Sequence, residues 1–130
     1  MKRITGAVAL LVWSLVAFSF PPLAWSADFT PTVKSEVVHL LSYIRQSGCQ
    51  FNRNGEWYGD ADGVCGHIQT KCDYFLKKGK ISSTEDFIKW SASKSEMSGK
   101  PYLVRCGNGP TLPLSQWLTQ EIDRYRRSGK

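Results

Sequence analysis

The sequence predicts an α+β domain, mainly α, in which about four helices pack with a small antiparallel sheet. Three observations carry this reading. Four segments repeat apolar residues at helical spacing, Asn54-Gly55 separates two strand-like runs, and the run from Pro101 to Cys106 alternates before a glycine-rich turn.

Thr30-Pro31 forms an N-cap followed by proline at the first helical position, where its missing N–H removes no hydrogen bond. Val33, Val37, Leu40, Leu41 and Ile44 then share one helical face, and Gly48 supplies a left-handed stop. The segment 49–58 reads as a hairpin, because a two-residue type I′ turn needs positive φ at both positions and Asn-Gly tolerates it. The register pairs Arg53 with Glu56 and Phe51 with Tyr58. Asp60 caps a second helix with the stripe Ala61, Val64, Cys65, Ile68, Cys72, Phe75 and Leu76, stopped by Gly79. Gly63 and Gly66 each cost about 1 kcal/mol relative to alanine, which predicts a frayed first turn.

Ser82 to Asp86 fits a capping box for a short third helix bearing Phe87, Ile88 and Trp90. Ser91 to Gly99 is rich in serine and reads as a loop, packed by Met97 and Tyr102. A strand over 102–106 follows, closed by Gly107-Asn108-Gly109-Pro110. Leu114, Trp117, Leu118, Ile122 and Tyr125 make the apolar stripe of a fourth helix. No internal repeat or linker divides the chain after the leader.

Met1-Lys2-Arg3, the uncharged apolar run Ile4 to Phe20, and Pro21-Pro22 with small residues beyond follow the order of a secretory signal. Ala24-Trp25-Ser26 places small side chains where signal peptidase needs them, so cleavage is expected after Ser26. An uncleaved anchor is the rival, since the run nearly reaches the ~20 residues that span a bilayer. Residues 1–26 are therefore expected to be a signal peptide and 27–130 one small periplasmic domain, with no stable membrane insertion once the leader is gone. Removing 26 residues from 130 leaves 104, and losing Lys2 and Arg3 lowers the formal charge from +6 to +4. A mild basic excess suits an anionic envelope surface without specifying one. Export, and the lack of a basic stripe interleaved with aromatics, argue against nucleic acid as a partner. Nothing in the sequence specifies an oligomeric state.

Cys49, Cys65, Cys72 and Cys106 all survive cleavage, and an even count in an oxidising compartment argues for at least one disulfide. On one helix Cys65 and Cys72 lie about 10.5 Å apart at 1.5 Å rise per residue, beyond the ~7 Å that a disulfide permits. If the last strand lies antiparallel to the first, Cys49 faces Cys106, Phe51 faces Val104 and Arg53 faces Tyr102 in one register. A Cys49–Cys106 bridge is the favoured reading and leaves Cys65 and Cys72 as buried thiols; cross-pairing of the two sets is the alternative. Zinc is disfavoured, since no Cys-x-x-Cys pair is present and the ligands would come from separate elements.

Taken in order, several stretches resemble the exported YfeK-like proteins of bacteria, grouped as domain of unknown function 5329. They are Ser47-Gly48-Cys49 with Arg53-Asn54-Gly55, His67 with Lys71 and Tyr74, and Ser83 to Ile88. Ala92 to Ser95, Ser98 to Tyr102 and Trp117-Leu118 complete the set. The resemblance implies a small, mainly helical domain in the periplasm of a Gram-negative bacterium, in a family with no established activity; no cofactor is expected. Cys65, Cys72 and the glycines beside them depart from the family pattern.

His67 and Lys71 form an i, i+4 pair on the second helix. As a general base His67 needs a nucleophile in hydrogen-bond reach, for which Ser93 and Ser95 are candidates, with Asp86 to orient the base; no Gly-x-Ser-x-Gly elbow presents them. The plainer reading has His67 and Lys71 satisfy a loop or helix end. The loop from Ser91 to Lys100 offers the hydroxyls of Ser93, Ser95 and Ser98 to an anion, with Lys94, Lys100 and the hairpin's Arg53 nearby. Trp57, Trp90 and Trp117 stand where a core would take them. The expected function is a non-catalytic module that binds an envelope protein or glycan. A small hydrolase using His67 and a loop serine, or a thiol-redox or metal protein using Cys65 and Cys72, are the alternatives.

Overall fold

The computed structural model describes residues 29–129, so the leader assigned to residues 1–26 lies outside the described residues. Four helices, α1 (Pro31–Gln46), α2 (Ala61–Lys77), α3 (Thr84–Ser91) and α4 (Leu114–Arg127), accompany four strands. The strands are β1 (Gln50–Arg53), β2 (Glu56–Tyr58), β3 (Leu103–Arg105) and β4 (Thr111–Pro113), joined antiparallel in the order β2-β1-β3-β4. The class is α+β and mainly α, as the periodicity predicts.

Local chemistry sets the element boundaries. The Thr30 hydroxyl accepts from the Val33 N–H at the start of α1, and Gly48 at φ 66° turns the chain out of it. Asn54 and Gly55, at φ 55° and 87°, make the hairpin turn, and Phe51 pairs with Tyr58 and Arg53 with Glu56 as the sequence predicts. The Ser83 hydroxyl accepts from the Asp86 N–H, while the Asp86 carboxylate accepts from both N–H and hydroxyl of Ser82. The capping box therefore reaches back one residue beyond its usual partner.

Six expectations are corrected. The first turn of α2 is not frayed: the helix runs unbroken from Ala61 because the Asp60 carboxylate accepts from the Gly63 N–H. The strands are shorter than 49–58 and 102–106 suggest, and β4 extends the sheet where the sequence reads only a turn. Three residues are too few to show alternation. Met97 packs nothing and is 98% exposed, and Ser91 is the last residue of α3 rather than the first of the loop. Trp57 is not a core residue: it lies on the outward face of the sheet at 36% exposure, with the Arg105 guanidinium 4.3 Å from its ring centre.

Alternation places Phe51, Arg53, Tyr58, Tyr102, Val104 and Leu112 on the sheet face that the helices cover. Helix α2 packs on β1, and α4 on β3 and β4. Leu40, Ile44, Ile68, Phe87, Val104 and Leu118 are fully buried between the layers, each contributing about 1.5–3 kcal/mol relative to exposure. Glu36 on α1 is buried as well. Its carboxylate accepts from Thr84 Oγ1 at 2.7 Å and from the Arg126 guanidinium at 2.7 and 2.9 Å, which joins α1, α3 and α4.

Cys49 and Cys106 form a disulfide just outside the β1–β3 ladder, where Phe51 faces Val104 and Gln50 faces Arg105. Cys65 and Cys72 are buried thiols on the core face of α2. Among the described residues no helix is long and apolar enough to cross a membrane.

Candidate functional site

The sheet face and α2 diverge toward the hairpin, leaving a cleft of about 260 Å³. Its apolar part is Phe51, Val64, Ile68 and Leu114; Arg53, Tyr58, Asp60, His67 and Tyr102 complete the lining. Val64, His67 and Ile68 reach it together because three- and four-residue steps return to one side of a helix. Gly63 also lines the cleft, and a Cβ there would stand 2.6 Å from Oδ2 of Asp60, the carboxylate whose other oxygen, Oδ1, caps the helix.

Tyr102 organises this end of the molecule. Its N–H donates to the Ser93 carbonyl at 3.0 Å and its carbonyl accepts from the Leu114 N–H at 2.8 Å, so the backbone is held between the loop and the start of α4. Its buried phenol oxygen lies 3.1 Å from His67 Nε2 and 3.1 Å from Lys71 Nζ. Lys71 also donates to the Lys94 carbonyl at 2.6 Å and stands 3.5 Å from the Glu96 carboxylate. An ammonium only donates, so Lys71 donates to the phenol oxygen; with Nδ1 protonated, His67 Nε2 accepts the phenol proton, and with Nε2 protonated it donates to the same oxygen.

Electrostatics favour an uncharged imidazole at His67. Burial lowers the His67 pKa, and the charges of Arg53 and Lys71 lower it further. Burial raises the pKa of Tyr102 and lowers that of Lys71, the latter opposed by Glu96. Arg53 is exposed, lines the cleft, and its guanidinium holds no carboxylate or other partner among the described residues. Its facing residue Glu56 accepts instead from the Tyr58 hydroxyl at 3.0 Å.

The residues singled out from sequence divide into two groups. Arg53 and His67 line the cleft, and Lys71 braces it through Tyr102. The serines of the 91–100 loop anchor it to its surroundings: Ser93 Oγ donates to the Ile88 carbonyl of α3, and Ser98 Oγ donates to Asn54 Oδ1 of the hairpin at 2.6 Å. Ser95 is buried, and its hydroxyl accepts from the Ser98 N–H. The Lys100 N–H donates to Ser98 Oγ and its carbonyl accepts from the Ser95 N–H. His67 is thus aimed at a phenol rather than at a serine. Tyr58, Asp60, Val64 and Leu114 escape a reading of motifs; only the strand register, which sets Arg53 beside Tyr102, signals that a site forms there.

The two thiols lie apart from the cleft. Cys65 Sγ donates to the Leu41 carbonyl at 3.4 Å, and burial raises its pKa. Burial pushes the Cys72 thiol up to about 12, so it stays protonated at neutral pH. Among the described residues no three His, Cys, Asp or Glu side chains converge to hold a metal ion.

Fold and cleft together define a small α+β domain, closed by a disulfide and carrying a half-apolar recess with a free guanidinium at its rim. The chain belongs to a family of unknown function, DUF5329, whose model matches residues 31–126. No curated protein and no solved structure matches it.

Proposed function

We propose that this protein is a non-catalytic binding module of the periplasm that holds an envelope protein or glycan in the cleft between the hairpin and α2. The single observation that carries the reading is the pairing of an apolar recess with the unpartnered Arg53. Concave, largely apolar sites with a few fixed polar groups are the usual form of a ligand site. The engagement of His67 by Tyr102 supports binding over hydrolysis, because a general base must reach the proton it abstracts. The leader sequence and the Cys49–Cys106 disulfide support an oxidising compartment.

Two measurements test this. Fractionation with intact mass should find a chain beginning at Ala27, oxidised, in the periplasm; a full-length reduced form in the cytosol would overturn the compartment. A photo-crosslinking residue at Tyr58 in living cells should give a discrete adduct that Val64→Phe, which fills the recess, abolishes. No adduct at Tyr58, or one indifferent to Val64→Phe, would overturn the site.

A further inference from the structure

The occupant of the cleft is constrained by its size, its floor and its charge. The cleft measures about 260 Å³. That lies below the roughly 300–1,000 Å³ of pockets that take drug-sized ligands. A single side chain fills such a space, and a longer ligand would extend out of its open mouth. Phe51, Ile68 and Leu114 are buried apolar side chains at the floor, and they offer no partner to sugar hydroxyls. An apolar side chain loses nothing there.

Charge fixes the other end of the ligand. Arg53 is exposed, lines the cleft and has no side-chain partner among the described residues, so its guanidinium is open to a ligand entering there. A guanidinium pairs best with a planar carboxylate, which it binds through two parallel N–H donors. Asp60 lines the same cleft with the opposite sign, and a carboxylate that accepts only is suited to an amide N–H. A carboxylate, an amide N–H and one apolar side chain occur together in the last residue of a polypeptide.

From this juxtaposition we infer that the cleft binds the free C-terminus of a partner protein ending in a medium-sized apolar residue, with the terminal carboxylate on Arg53 and the side chain on the Phe51–Ile68–Leu114 floor. This rests on the binding reading above and specifies its ligand. The chemistry is that of carboxylate capture at a peptide end. His67, uncharged and hydrogen-bonded to Tyr102, serves as wall and reporter rather than as an anion ligand.

The test uses the oxidised chain from Ala27 to Lys130 and defined probes. The protein contains two histidines, and His39 lies on α1 against Tyr125, away from the cleft. N-acetyl-Ala-Leu with a free carboxylate should shift the His67 ring signals and leave those of His39 in place. The carboxamide of the same dipeptide should bind about tenfold more weakly or worse, since a charge-assisted pair is lost. Arg53→Gln, at an exposed position that the fold does not need, should reduce the free acid to the level of the amide. Equal binding of acid and amide, no effect of Arg53→Gln, or no shift at His67 would each overturn the inference. Binding of N-acetyl-D-Ala-D-Ala in place of the L-peptide would assign the cleft to cell-wall peptides and overturn it too. A Tyr58 adduct in cells alongside failure of the L-peptide removes this inference alone; loss of both removes the binding reading beneath it.

Discussion

The phenol oxygen of Tyr102 lies 3.1 Å from His67 Nε2, so a residue just before β3 and one in the middle of α2 share a half-buried hydrogen bond 35 positions apart in sequence. The bond requires a neutral imidazole when Tyr102 donates. Protonation of His67 would place a third positive charge near Lys71 and Arg53, the two cations that already lower its pKa after burial.

A pH dependence follows. His67 has a folded-state pKa below its ordinary value of 6.5, so the unfolded chain binds its proton first as the pH falls. The stability contributed by the neutral ring is complete above about 6.5 and is lost as the pH drops from there toward the folded-state pKa. Denaturant midpoints should fall between pH 7 and 5.5, and His67→Gln should flatten that part of the profile. A ring titration by NMR with a midpoint above 6.5 would contradict the assignment.

The disulfide spans 57 residues. Closing a loop of that length stabilises by roughly 4 kcal/mol in the chain-entropy description. Replacing Cys49 and Cys106 together by alanine should lower the unfolding free energy by about that amount. Alkylation of the oxidised protein should label two thiols, Cys65 and Cys72, in denaturant and neither under native conditions, because both are buried.

Arg126→Ala removes two donors from the buried Glu36 and leaves Thr84 as a partner. A cost of about 2–3 kcal/mol is expected, below the ~3–5 kcal/mol of fully buried pairs because the Arg126 side chain is 37% exposed. Replacing Glu36 and Arg126 together by leucine should cost less than Arg126→Ala alone. Urea unfolding of the three variants decides it.

Gly63 and Gly66 share one helix turn but differ in surroundings. A Cβ at Gly66 meets nothing within 4 Å, so Gly66→Ala should raise stability by about 1 kcal/mol. At Gly63 the Cβ would press on the Asp60 carboxylate, and disturbing that cap costs about 1 kcal/mol. Gly63→Ala should therefore show little or no gain in thermal midpoint.

Much of the architecture is legible from residue order because its signals are local. Thr30-Pro31, Asn54-Gly55, Asp60 and Ser83 each act on neighbours within four positions, and each forms the turn or cap its chemistry implies. The β1–β3 register is also readable, since matching Phe51 to Val104 brings Cys49 opposite Cys106. Strand β4 is not readable, as a three-residue partner is defined by the ladder it joins. Met97 and Trp57 show the same limit: hydrophobicity marks a residue the core will accept, and only packing decides whether space remains.

The candidate site follows the same division. His67 and Lys71 stand out as a helical pair, and Arg53 as a hairpin cation, from spacing alone. The sequence by itself determined the four helices, the hairpin and the cysteines available to close the domain, because periodicity, capping and turn chemistry act over a few residues. The tertiary structure decided that the histidine faces a tyrosine instead of a serine, that the loop serines are taken up by the preceding helix, the loop itself and the hairpin's Asn54, and that a recess lies beside Arg53. Those outcomes depend on the angle at which α2 meets the sheet, set by the volumes of side chains drawn from the whole domain, and no local stretch of sequence encodes it.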